Sequence, residues 1–171
     1  GLGLAAVIAT MMPETLRRRS PQPLSLFAIF GGYGTLLRNR AFRVYVALTA
    51  LAYAGLFAFI SGSSFILTGV YALTPVQYGF AFATGVVGFI GGTILAQRIV
   101  GRRGMDGVIG LGVLCLALGG LMMLGAVATG AGGVVGVVLS WTVYACGVGL
   151  TMPQAQASAM MPFPDRAGAA S

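Results

Sequence analysis

Apolar residues fill four long blocks of this chain, at about 44–67, 76–100, 107–129 and 134–161. Short breaks rich in polar residues or glycine separate them, at Thr68–Pro75, Arg98–Asp106 and Gly130–Gly133. Neither the period of two of a half-buried strand nor the 3.6-residue stripe of a surface helix stands out. Segments that are apolar on every side predict helices surrounded by lipid or by other helices. At 1.5 Å per residue the first block is about 36 Å long, enough to cross a hydrocarbon core of about 30 Å with some tilt. A shorter apolar run, 1–12, opens the chain and stops at Pro13. Its basic residues follow it instead of preceding it, so it is not a secretory signal and reads as the end of another crossing. Residues 13–43 form a basic connecting segment, in which Leu24, Phe27, Phe30 and Leu37 lie near helical spacing and suit a short helix on the membrane surface. The expected fold class is an all-α membrane protein with about four full transmembrane helices and the end of a preceding one.

Charge fixes the expected orientation. All ten basic residues are arginine. Arg17, Arg18, Arg19, Arg38, Arg40 and Arg43 fall in the first connecting segment, Arg98, Arg102 and Arg103 in another, and Arg166 beside Asp165 near the end. The intervening runs 44–97 and 107–164 carry no charge, and each is long enough for two crossings. Every arginine cluster therefore falls on one side, the positive-inside pattern of a multi-pass protein with cytoplasmic basic loops. Hydrophobic residues make up 57% of the chain and charged residues 8%, against about 25% charged in soluble domains. A net charge of +7 would otherwise raise nucleic-acid binding. Arginines that flank apolar spans are better explained by topology and anionic lipid head groups, so the expected partner is the bilayer, with no nucleic acid. Cys115 and Cys146 lie inside apolar blocks as small packing residues. With no histidine and no CxxC, neither a metal site nor a cofactor is expected. The chain has no initiator Met and opens within an apolar run, so it reads as a piece of a longer protein.

Glycine accounts for 28 of the 171 residues. In lipid, small residues let helices approach closely, and three stripes are candidates for helix packing: Ala50, Ala54, Ala58 and Gly62; Gly88 and Gly92; Gly132 and Gly136, continued by Ser140. Beside the first stripe lie Tyr53, Phe57, Ser61 and Phe65, with Ser63 next to Ser61. Hydroxyls in lipid must bond their own helix or face protein or water. These residues are thus either packing groups or one wall of an aromatic-lined cavity for amphipathic molecules. Trp141, Tyr144 and Gln154 on the fourth block are further cavity candidates, and Pro153 removes a backbone hydrogen bond there. No block holds an ionisable residue near its middle, so a proton relay, if one exists, lies outside these spans. No paired acids or nucleophile constellation marks an enzyme.

Four segments carry a resemblance to a known family. Met12-Pro13-Glu14-Thr15-Leu16, Leu37-Arg38-Asn39-Arg40-Ala41-Phe42, Phe59-Ile60-Ser61-Gly62-Ser63-Ser64-Phe65 and Pro162-Phe163-Pro164-Asp165-Arg166-Ala167-Gly168 resemble, in order, the "PETL", "LLRNRRF", "YISGSPF" and "PFPERAG" segments of bicyclomycin-resistance type drug exporters of the major facilitator superfamily. Leu95-Ala96-Gln97-Arg98 through Gly101-Arg102-Arg103 looks like a degenerate copy of that superfamily's "LADRxGRR" loop, with Gln97 for Asp and one extra residue. The resemblance implies a partial bundle from a twelve-helix transporter. Residues 1–12 would end its sixth helix, 13–43 would be the cytoplasmic central loop, and 44–171 would form part of the C-terminal transmembrane half. It implies a bacterial inner-membrane exporter that exchanges amphipathic drugs for protons by alternating access. It further implies that the proton-linked residues lie in an absent N-terminal half, itself the natural partner of this segment. Arg98, Arg102, Arg103, Asp165 and Arg166 would be cytoplasmic loop or gate residues. A sugar or metabolite exporter of the same superfamily, or a non-transporting membrane scaffold or sensor, are the alternative readings.

Overall fold

The computed structural model describes residues 36–130 and 132–161. The expectations for the opening crossing at 1–12, for the connecting segment up to residue 35, for Arg17, Arg18 and Arg19, and for Asp165 and Arg166 lie outside the described residues, as do the first and last of the four resembling segments. Among the described residues every regular element is helical. Helix α1 spans Arg40–Ser64, continues as a π-helical turn over Phe65–Val70, and is followed by α2, Pro75–Thr129, and α3, Gly133–Met160. All three are long and apolar enough to cross a membrane.

Local chemistry sets the boundaries. Asn39 caps α1, its side chain accepting from the amides of Ala41 and Phe42 at 2.9 and 3.2 Å, which satisfies two donors that the first turn leaves free. Thr74 and Gln77 form a reciprocal capping box, and Pro75 stands at the first helical position of α2. Gly130 and Gly132 adopt left-handed φ angles of 68° and 77°, which a side chain would oppose, and so close the turn into α3.

As one straight rod, the 55 residues of α2 would be about 80 Å long, far beyond a bilayer. They bend at Gly104 (φ 69°, ψ 172°), a conformation no helical residue holds. The contacts with α3 give the direction of each arm. On the arm before Gly104, Gly85, Gly88 and Gly92 face Trp141, Thr142 and Cys146 in rising order. On the arm after it, Met105 bonds Ser158, Gly112 faces Thr151 and Gly119 faces Tyr144, in falling order. The arms therefore run antiparallel, and α2 is a helical hairpin turned at Gly104. Helix α1 opposes α3 as well: Phe42 packs with Ala159, Ala52 with Val148, and Leu67 with Val137. The result is an up-down-up-down set of four crossing-length segments.

Helix α3 is the axis of this set. It buries thirteen residues, against three on α1, so α1 leans on the rest along one line and leaves most of its surface open. Backbones meet where glycine permits it. A Cβ at Gly88, Gly92 or Gly149 would overlap a carbonyl oxygen of the facing helix, that of Thr142, Cys146 and Phe89 respectively. Pro153 explains part of this seam. It has no N–H to offer the Gly149 carbonyl one turn earlier, and that carbonyl is approached instead by the Thr93 hydroxyl of α2 at 3.5 Å.

The α1 stripe read as a packing face does not pack within the described residues. Ala50, Ala54 and Ala58 are exposed, and a Cβ at Gly62 meets nothing within 4 Å. The line that meets α3 is Ala52, Gly55 and Phe59, and Ser63, one turn on, is buried against Tyr78 of α2. Gly132 caps α3, where a Cβ would meet Gly136 of its own helix. In an all-apolar helix small residues occur on several faces, and spacing alone does not say which face finds a partner.

Candidate functional site

Trp141 is the centre of the arrangement. It is 4% exposed, on the face of α3 that looks between α1 and the first arm of α2. Its ring lies 3.9 Å from that of Phe59 at an interplanar angle of 8°, a stacked pair. Phe82 sits at 5.9 Å and 36°. The indole N–H donates to the Phe82 carbonyl at 3.3 Å. The indole edge fills the space that a Cβ on Gly85 would occupy. One aromatic side chain is thus held on its face, on its edge and through its only donor.

Cavities open on both sides of it. One of about 280 Å³ is bounded by α1, the second arm of α2 and α3, through Phe59, Ser63, Met123, Val137, Trp141 and Tyr144. Another of about 310 Å³ lies between α1, the first arm of α2 and α3, through Tyr53, Leu56, Phe82, Phe89, Trp141 and Met152. Among the described residues no Asp, Glu, Lys, Arg or His lines either one. Two hydroxyls at their walls, those of Ser63 and Tyr144, are already engaged. Ser63 Oγ is 3.1 Å from the Tyr78 hydroxyl, and the Tyr144 hydroxyl donates to the Ala52 carbonyl at 3.0 Å. What remains is apolar and aromatic surface, which suits the uncharged part of a ligand.

The cavity candidates divide by position. Trp141, Tyr144 and Ser63 lie inside the four-segment set, with Ser63 2% exposed. Tyr53 is at its edge, lining the cavity beside the first arm of α2 and stacking on Phe57 at 6.3 Å. Phe57 and Phe65 point away from the set, 60% and 74% exposed, and Ser61 is exposed beside them. Gln154 is half-buried on α3. Phe59, Phe82 and Gly85 carry as much of the geometry as Trp141, yet sequence reading passed over them. The available signal was that Phe59 falls one helical turn before Ser63.

The arginines share one end. Arg38, Arg40 and Arg43 precede or open α1, while Arg98, Arg102 and Arg103 flank the Gly104 bend, and all six are exposed. The Tyr45 hydroxyl donates to Asp106 Oδ1 at 2.6 Å, which pins the start of α1 to that bend. Ser158 to Met105 Sδ at 3.4 Å ties α3 to the same place. A third cavity of about 360 Å³ lies just inside this end, between α1 and α3, with Tyr45, Thr49 and Gln156 at its wall.

Two curated proteins are similar to this chain. A bicyclomycin resistance protein homolog from Haemophilus influenzae is 26% identical over 124 residues, covering 72% of this chain and 31% of its own length. An uncharacterized MFS-type transporter, YdgK of Bacillus subtilis, is 25% identical over 177 residues, covering all of this chain and 42% of its own length. The chain is similar to these two proteins, at about a quarter identity to each. No family model matches it. It spans between about a third and two-fifths of the length of these relatives. With three crossing-length helices and transporter relatives, it is a multi-pass membrane protein.

Proposed function

We propose that the chain forms part of a proton-coupled exporter of amphipathic small molecules, working by alternating access in a bacterial inner membrane. The observation that carries this reading is the pair of apolar, aromatic-walled cavities meeting at Trp141, with no Asp, Glu, Lys, Arg or His among the described residues that line them. An uncharged, hydrophobic cargo finds surface to bury there, whereas a sugar would leave its hydroxyls without partners. The drug-resistance name of one relative points the same way. Trp141, Tyr144 and the Tyr53 edge supply contact surface. Phe57, Ser61 and Phe65 face what lies beyond these four segments, either cargo or the remaining helices of a whole transporter. Arg98, Arg102 and Arg103, with the Tyr45–Asp106 bond beside them, form the cytoplasmic end, where halves that rock against each other would close. Arg166 and Asp165 belong to the same end in this reading. The described spans offer no group that takes up a proton, so coupling is assigned to residues elsewhere in the transporter.

The test is drug susceptibility. The gene with its native flanks is expressed in a bacterium lacking its own drug exporters, and growth is scored against amphipathic antibiotics and dyes. At least a fourfold rise in tolerated concentration, abolished by collapsing the proton gradient, is expected. Unchanged susceptibility across the panel with the protein present in the membrane contradicts the reading.

A further inference from the structure

The two cavities beside Trp141 are separated by the indole itself, which lines both. We infer that Trp141, clamped between Phe59 and Gly85, is a partition that sets the size of the uncharged aromatic group this half-site accepts. The inference rests on the exporter reading only in treating that group as part of a cargo. Three observations make the ring a fixed wall. Its face is stacked on Phe59, its edge fills the notch left by the missing Cβ of Gly85, and its N–H is held by the Phe82 carbonyl. A side chain restrained at three points does not swing aside for each ligand, because close-packed surroundings leave it one low-energy position.

Volume then gives the ligand class. A dry cavity of about 150 Å³ lined by apolar side chains holds benzene. The compartments of about 280 and 310 Å³ each correspond to about two such rings. Because Ser63 and Tyr144 already bond within the protein, the group is selected by shape and not by hydrogen bonds. A fused two-ring system fits one compartment. Both compartments are half-open, so the indole limits a group that extends from one into the other, and a four-ring system spanning both must displace it. Trp141 is thus a specificity-determining residue, and Gly85 and Phe59 are its positioning residues.

Equilibrium binding to the full chain in lipid nanodiscs tests this, using uncharged hydroxymethyl arenes of one to four fused rings whose own fluorescence reports binding. For the unaltered protein, affinity is expected to peak at two rings and to fall at least tenfold at four. Trp141→Ala joins the compartments and raises four-ring affinity at least tenfold. If that variant does not fold, Gly85→Ala displaces the indole edge and shifts the profile in the same direction. A flat ring-size profile in the unaltered protein, or a profile unchanged in folded Trp141→Ala, overturns the partition. Binding with the expected cut-off but no drug export would sink the exporter reading and leave the partition standing. Export with a flat profile would do the reverse.

Discussion

Replacing Gly92 by alanine tests the seam that holds α2 to α3. A Cβ at that position overlaps the Cys146 carbonyl oxygen and lies 3.0 Å from the carbonyl carbon and 3.1 Å from Cα. All three neighbours are backbone, so no rotamer change relieves the overlap and the helices must move apart. Separation would also loosen Gly88 against Thr142 and Gly149 against Phe89, the adjoining contacts of the same seam. Overpacking of a tight interior costs about 1–3 kcal/mol, and a backbone-on-backbone clash belongs at the upper end. Alanine in place of glycine returns about 0.5–1 kcal/mol of helix propensity. The neighbouring Gly91 supplies the control, since a Cβ there meets nothing within 4 Å. Propensity is common to both variants, so the stability difference between Gly91→Ala and Gly92→Ala isolates the clash, at about 3 kcal/mol. Unfolding titrations in mixed micelles, followed by circular dichroism, measure it. Equal midpoints for the two variants would refute the placement of Gly92 against α3.

Other outcomes follow from single contacts. Thr151 Oγ1 is fully buried without a partner, so the isosteric Thr151→Val is expected to raise stability by about 1 kcal/mol in the same titration; a loss of that size would contradict the burial. Tyr144→Phe removes the bond to the Ala52 carbonyl and should cost about 1 kcal/mol, with α1 amides near residue 52 exchanging faster. Tyr45→Phe breaks the bond to Asp106. Discounted for its exposed setting, that bond contributes about 1 kcal/mol, and hydrogen exchange at the Gly104 bend should accelerate by about fivefold, while unchanged exchange would show that the bond does not pin the bend. Single cysteines at Gly101 and Gly130 should be labelled by impermeant reagents from opposite faces of intact membranes, the first from the cytoplasm; labelling of both from one face would refute the hairpin.

The crossing-length segments were legible because a long uncharged apolar run has few structures open to it in lipid. The Gly130–Gly133 turn was legible because glycine interrupts the apolar run there, whereas the Asn39 cap and the Thr74–Gln77 capping box were not read, and the first helix begins at Arg40, four residues before the apolar block. The Gly104 bend fell where arginines interrupt hydropathy. Helix faces were not legible. Ala50, Ala54, Ala58 and Gly62 make as regular a stripe as Ala52, Gly55 and Phe59, yet in the described residues only the second line meets α3. In water one face of a helix would be polar and the choice would be marked; here both faces are apolar and tertiary fit alone decides. The same degeneracy hid Gly85 and Phe59, whose roles exist only once Trp141 is placed between them.

Transport in proteoliposomes tests the central claim most directly. The complete gene product is reconstituted, a pH gradient is imposed, and a fluorescent neutral amphipathic drug is followed. Accumulation on the acidic side, reversed when the gradient is reversed and abolished by a protonophore, is the predicted result. Drug movement that ignores the gradient, or none at all with correctly inserted protein, would contradict the account of a proton-coupled exporter.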